Sequence, residues 1–163
     1  MSLKLFWTLL FSLLFLTGFS QNSGVAFNKN AYYKIFATKD VKLIDEELHI
    51  IQSSTFSEKL AFEGALLMKK ASLITNPKDK LAIFKDGRIK LELSITKNAA
   101  NVEFRFLRLM IQENVPGIVN YRDNILDDSA LVTEYYKTLP KSVQQAVYEY
   151  SKNSKTLKTA QLQ

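Results

Sequence analysis

From Asp40 to Ser151 the apolar residues recur at three- and four-residue spacing, and no stretch keeps a two-residue alternation for long. That period belongs to helices whose apolar stripes face a common core. The punctuation between stripes is helical too. Asp40 is placed to N-cap a helix carrying Val41, Ile44, Leu48 and Ile51 on one side. Thr55-Phe56-Ser57-Glu58 has the form of a capping box, Thr55 taking the N3 amide and Glu58 reaching back, and it predicts a helix over 56–75. Leu60, Gly64, Leu67, Ala71 and Ile74, flanked by Ala61, Ala65 and Met68, cover a broad arc of that helix. An arc that wide implies burial on more than one side, so this helix is expected to be central.

Asn76-Pro77 ends it and starts the next, with Asn76 as cap, Pro77 at the first helical position and Asp79 against the positive helix end. The following helix, over 77–96, buries Leu81, Phe84, Leu91 and Ile95. A break at Asn98–Asn101 precedes a helix over 102–114, which Pro116-Gly117 terminates. Shorter helices are predicted over 118–126, 129–139 and 140–151, punctuated by Asp127 or Asp128 and by Pro140. The stretch 152–163 is polar and carries Lys152, Lys155 and Lys158, which predicts a basic flexible tail.

Composition agrees. Only 5 glycines and 3 prolines occur in 163 residues, roughly half the usual share, and an all-β domain draws on both for its turns. The expected fold is all-α, about six antiparallel helices in an irregular bundle or a helical-repeat-like stack of hairpins. Zero cysteines excludes disulfides, thiol catalysis and Cys-held zinc or iron–sulfur centres, and one histidine excludes a multi-His site. No cofactor is expected.

Residues 1–20 stand apart. Lys4 is their only charge, Leu5–Leu16 is an apolar run, and Gly18 and Ser20 supply small residues at −3 and −1 of a cleavage site before Gln21. The run is shorter than the ~20 residues a spanning helix needs. The pattern predicts a cleaved signal peptide, export across the inner membrane to the periplasm or beyond, and, with no Cys at the site, no lipid anchor. An aromatic lead-in over 21–39 follows, with Phe27, Tyr32, Tyr33 and Phe36, read as extended chain plus one helical turn. The helical domain is expected over 40–151.

Two stretches share a spacing. Phe62, Ala65, Ser72 and Pro77 repeat in outline as Phe84, Gly87, Ser94 and Ala99, which resembles the second helix of a tetratricopeptide repeat. Their separation is shorter than such a repeat, and Lys69 stands where a large apolar residue belongs. The phrases AFEGALLMKKA, NPKDKLAIFKDG and EFRFLRLMIQENVPG, across the central half of the chain, resemble those of small exported helical proteins of Bacteroidota. That resemblance implies an exported α-helical protein and transfers no catalytic residue.

The candidate chemical constellations are sparse. Glu46-x-x-His49 has the form of half a di-iron carboxylate site, but no second histidine completes it. Asp123, Asp127 and Asp128 lack the spacing and glycine of a calcium loop. The most informative feature is a stripe, Asn101, Arg105, Arg108 and Gln112, on a helix otherwise largely apolar. The chain has 18 Lys and 4 Arg, so two arginines in one turn point to a fixed, bidentate partner. Arg105 is read as structural, with Glu103 as its carboxylate, and Arg108 as exposed. The stripe, with Tyr32, Tyr33 and Phe36, is the expected interaction surface. A net charge of +6 without a stacking motif does not argue for nucleic acid. The sequence favours an exported, non-enzymatic helical module that binds another envelope protein, with an anionic lipid or polymer surface as a further class of partner. The rival is a small envelope hydrolase or lipid-handling enzyme with a site between helices.

Overall fold

The computed structural model describes residues 26–162, so the expected cleavage before Gln21 lies outside the described residues. Those residues form seven α-helices in a bundle and no strand: α1 (Lys29–Phe36), α2 (Val41–Ser53), α3 (Lys59–Leu73), α4 (Pro77–Lys97), α5 (Val102–Gln112), α6 (Ile125–Tyr135) and α7 (Lys141–Ser151). The caps explain several boundaries. Asp40 Oδ1 accepts from the amides of Lys42 and Leu43, at 2.9 and 3.3 Å. Asn76 Oδ1 does the same for Lys78 and Asp79 ahead of Pro77, and Asn101 Oδ1 caps α5 through the Phe104 amide at 3.1 Å.

The centre is built from α3 and α5. Along α3, Ala61, Phe62, Glu63, Gly64, Ala65, Leu66, Met68 and Ala71 are all buried, as the broad apolar arc implies. On α5 every residue from Phe106 to Gln112 is buried. α3 and α4 run antiparallel and touch through glycine. A Cβ on Gly64 would lie 2.6 Å from the Gly87 carbonyl oxygen, and one on Gly87 would lie 2.6 Å from that of Gly64. Two backbones this close leave no room for a methyl group, so Gly87 of the repeat-like spacing, with Gly64 facing it, serves a helix crossing.

Four expectations are corrected. The capping box at Thr55 does not form: α3 opens three residues later, at Lys59, with no side-chain cap. Glu58 turns instead toward Lys29, at 3.4 Å, and the Asn101 amide. The lead-in is more helical than one turn, because Asn28 caps α1 through the Ala31 amide. Tyr32 is wholly buried there and donates to the Phe62 carbonyl at 3.0 Å, while Phe27 stacks on Phe56 with centroids 4.4 Å apart.

The helix predicted over 118–126 is absent. A single 3-10 turn, Gly117–Val119, ends at Asn120 in the left-handed region (φ 49°), a conformation its short amide side chain tolerates. Tyr121 then turns into the core. The tail after Lys152 is not a loose end either. Leu157 and Leu162 are buried, and the Glu113 carboxylate at the end of α5 accepts from Ser154 Oγ, the Thr156 amide and hydroxyl, and Tyr150 Oη. Two isolated leucines among lysines hid this docking from a reading by composition.

Candidate interaction site

The arginine stripe is interior. Arg108 is 4 % exposed and bidentate to Asp128, Nε to Oδ2 at 2.7 Å and Nη2 to Oδ1 at 2.8 Å, and its Nη1 reaches Glu92 at 3.1 Å. Tyr121 Oη donates to the other Glu92 oxygen at 2.6 Å, and the Arg88 guanidinium lies 4.5 Å from the Tyr121 ring centroid. Arg105 Nη1 stands 3.5 Å from Asp128, while its Nε and Nη2 donate to the Ala99 carbonyl. Gln112, fully buried, exchanges hydrogen bonds with Asn124. The partition of the two arginines is thus reversed: Arg108 is the buried one and Arg105 the half-buried one. Glu103, proposed as the local carboxylate, is held instead by Lys29 and the Tyr33 hydroxyl. Burial lifts Asp128 above its ordinary range, and the two guanidiniums pull it back. The arrangement joins α4, α5 and α6.

Other expected site residues are also structural. Tyr32 and Phe36 belong to the core, and Asn101 is a cap. His49 is exposed on α2, and its neighbour Asp45 is engaged by Lys70 at 2.6 Å. Asp128 does not cap α6, which opens at Ile125. Of the expected surface, Tyr33 and Phe36 alone reach the feature that now takes its place.

That feature is a groove of about 1180 Å³. Its floor is apolar, with Phe36, Met68, Phe84, Met110 and Ile111. One wall comes from α1 and from the α7 face bearing Ser142, Gln145, Ala146 and Glu149. The opposite wall is the end of α3 and the start of α4, including Lys69, Lys80 and Leu81. Leu81 is 53 % exposed on its lip, and Ile118, between the lining residues Pro116 and Val119, is 96 % exposed. Lys34, Lys39, Lys69 and Lys80 line it, against a single carboxylate, Glu149, which Lys152 already holds at 2.7 Å.

Lys69 is the telling residue. Five lysines of the described residues are half-buried. Lys29, Lys70 and Lys90 have carboxylates within 3.0 Å, and Lys59 donates to the Gln52 carbonyl at 2.8 Å. The Lys69 ammonium has no hydrogen-bond or ion-pair partner among the described residues; it lies 6.0 Å from the Phe36 ring centroid. Burial, and then the nearby Lys39 charge, hold it below the ordinary lysine value. The sequence did carry a signal: a lysine in a register reserved for a large apolar residue. The groove itself could not be read, because its walls come from helices more than 100 residues apart.

Comparison with family models, curated proteins and solved structures finds no match to this chain.

Proposed function

We propose that this protein is an exported, non-enzymatic interaction module of the cell envelope, and that the groove between α1, α3, α4, α5 and α7 is its working surface. The observation that carries the reading is the half-buried, unpartnered Lys69 above an apolar floor, a cation positioned for a charge that another molecule brings. The export part of the proposal rests on residues 1–20. Among the described residues, no helix is long and apolar enough to cross a membrane. The hydrolase alternative needs an enclosed pocket in which a nucleophile meets a base. Here Ser72 on α3 and Ser142 on α7 line an open groove that no histidine lines, and His49 lies outside it.

Site-specific photocrosslinking in the exporting cell tests this. A photoreactive residue at Ser142, in the groove, is expected to give a discrete protein adduct that the same residue at exposed Glu134 on α6 does not. Equal adducts from both positions, or none from either, would remove the groove as the working surface.

A further inference from the structure

The groove's shape and charge specify what kind of molecule would fill it. Asn30–Ala37, Pro77–Phe84 and Ser142–Glu149 each border it over two helical turns, about 10 Å of length apiece at 1.5 Å per residue. The volume, about 1180 Å³, lies beyond the roughly 300–1,000 Å³ of small-molecule sites. A helix about 10 Å wide with its side chains, laid along borders of that length, presents about two turns to the groove. The floor carries Met68 and Met110, whose flexible side chains can adapt to a partner. Above it stand four lysines and one carboxylate already in use.

Two nearer occupants fit poorly. The apolar run Leu5–Leu16 has Lys4 as its only flanking charge and would bring a cation to a cationic groove. A second copy carries its densest acidic run, Asp45-Glu46-Glu47, inside α2, with Asp45 tied to Lys70 and Glu47 buried.

We propose that the groove receives the apolar face of an acidic amphipathic helix from a partner protein, whose carboxylates meet Lys34, Lys39, Lys69 and Lys80. This rests on the groove being an interaction surface. It is the helix-in-groove mode, with anchors at i, i+3, i+4 and i+7 and a charged flank setting specificity. The groove's one carboxylate, Glu149, already pairs with Lys152, and lysines outnumber it four to one.

A displayed library of sixteen-residue helices tests it, each with a fixed apolar stripe and flanks randomised among Glu, Gln and Lys, selected on the immobilised protein. Selected peptides are expected to be enriched in Glu, to weaken with rising salt, and to lose at least tenfold in affinity for a Lys34→Glu/Lys80→Glu variant. Both changes are at exposed positions, and unchanged circular dichroism would show the fold intact. The same selection on that variant is expected to enrich Lys-flanked peptides. Enrichment of neutral or basic flanks on the unmodified protein would overturn the charge assignment while leaving the groove as a docking surface. If no peptide is selected and oleate, below its micelle concentration, binds instead, protein docking itself fails. Concentration-dependent dimerisation blocked by Ala146→Trp would make a second copy the occupant and overturn the proposal.

Discussion

Arg108 and Lys69 are both cations on helices that face inward, and they meet opposite circumstances. Around Arg108 every charge has a partner: Asp128 twice, Glu92 once, with Tyr121 closing the far side of Glu92. Around Lys69 the neighbours are an aromatic ring and another lysine. A buried charge is costly unless paired. The first region has met that cost internally, and the second leaves a half-buried ammonium facing solvent at an open groove. The difference separates a cation that holds the fold from one available to a partner, a distinction that residue type alone does not draw.

Arg108→Met is expected to have the largest effect. It leaves Asp128, 1 % exposed, without its bidentate partner, and breaking a buried pair costs about 3–5 kcal/mol. Arg105, at 3.5 Å from Asp128, recovers only part. Urea unfolding is expected to show a clearly lowered midpoint. A midpoint within experimental error of the parent would mean the two regions do not differ in kind.

This assignment also shows how far the sequence could be read. The helical period, the caps at Asp40, Asn76 and Asn101, and the central α3 are local features, and local spacing reveals them. The partner of Arg108 is not local: Asp128 lies twenty residues away, across the turn at Asn120, whereas Glu103, nearer in sequence, suggested a structural role for Arg105 and left Arg108 read as exposed. Thr55 fails for the converse reason. Its capping signature is genuine, but Glu58 is drawn to Lys29 and Asn101 from other parts of the chain. Tertiary partners overrode a local preference in both cases. The anomalous Lys69 was visible; its meaning required the walls.

The α3–α4 crossing joins the two regions, because α4 carries Lys80 near its start and Glu92 toward its end. Gly64→Ala would place a methyl 2.6 Å from a backbone carbonyl that cannot rotate away. The expected cost is about 2 kcal/mol, as for other overpacked contacts, offset only in part by alanine's better helix propensity. Heteronuclear NMR shifts are expected to move at both Lys69 and Arg108. Shifts confined to one of them would show that the regions are mechanically independent.

Glu113 tests the paired principle away from the arginines. Burial pushes its carboxyl up, but the hydrogen bonds from Thr156, Tyr150 and Ser154 outweigh this and hold it below the ordinary glutamate range. A carboxylate with a depressed folded pKa lends stability that is present above the unfolded value and disappears as pH falls through the folded one. Glu113→Gln is expected to cost about 1–2 kcal/mol at neutral pH. It should also flatten the acid limb of the stability profile below the ordinary glutamate range, and loosen the docked 152–162 segment to proteolysis. A parallel acid limb in both proteins would deny Glu113 this role.

The smallest expected effect on stability falls on the residue with the largest proposed role. Lys69→Met keeps the length of the side chain and its contact with Phe36 while deleting the charge. Because burial and Lys39 lower its folded pKa, the unfolded chain binds the proton more tightly. Lys69 therefore lowers stability below its folded pKa, and stability recovers as pH rises toward the ordinary lysine value. Removing the charge should leave the urea midpoint at neutral pH unchanged or slightly raised, within about 0.5 kcal/mol, and abolish that alkaline rise. Binding of a Glu-flanked helix should weaken all the same. A cation whose loss costs the fold nothing but costs the complex its affinity is what the contrast with Arg108 requires. If Lys69→Met instead destabilised the protein as strongly as Arg108→Met, Lys69 would have an internal partner and the groove would lose its argument.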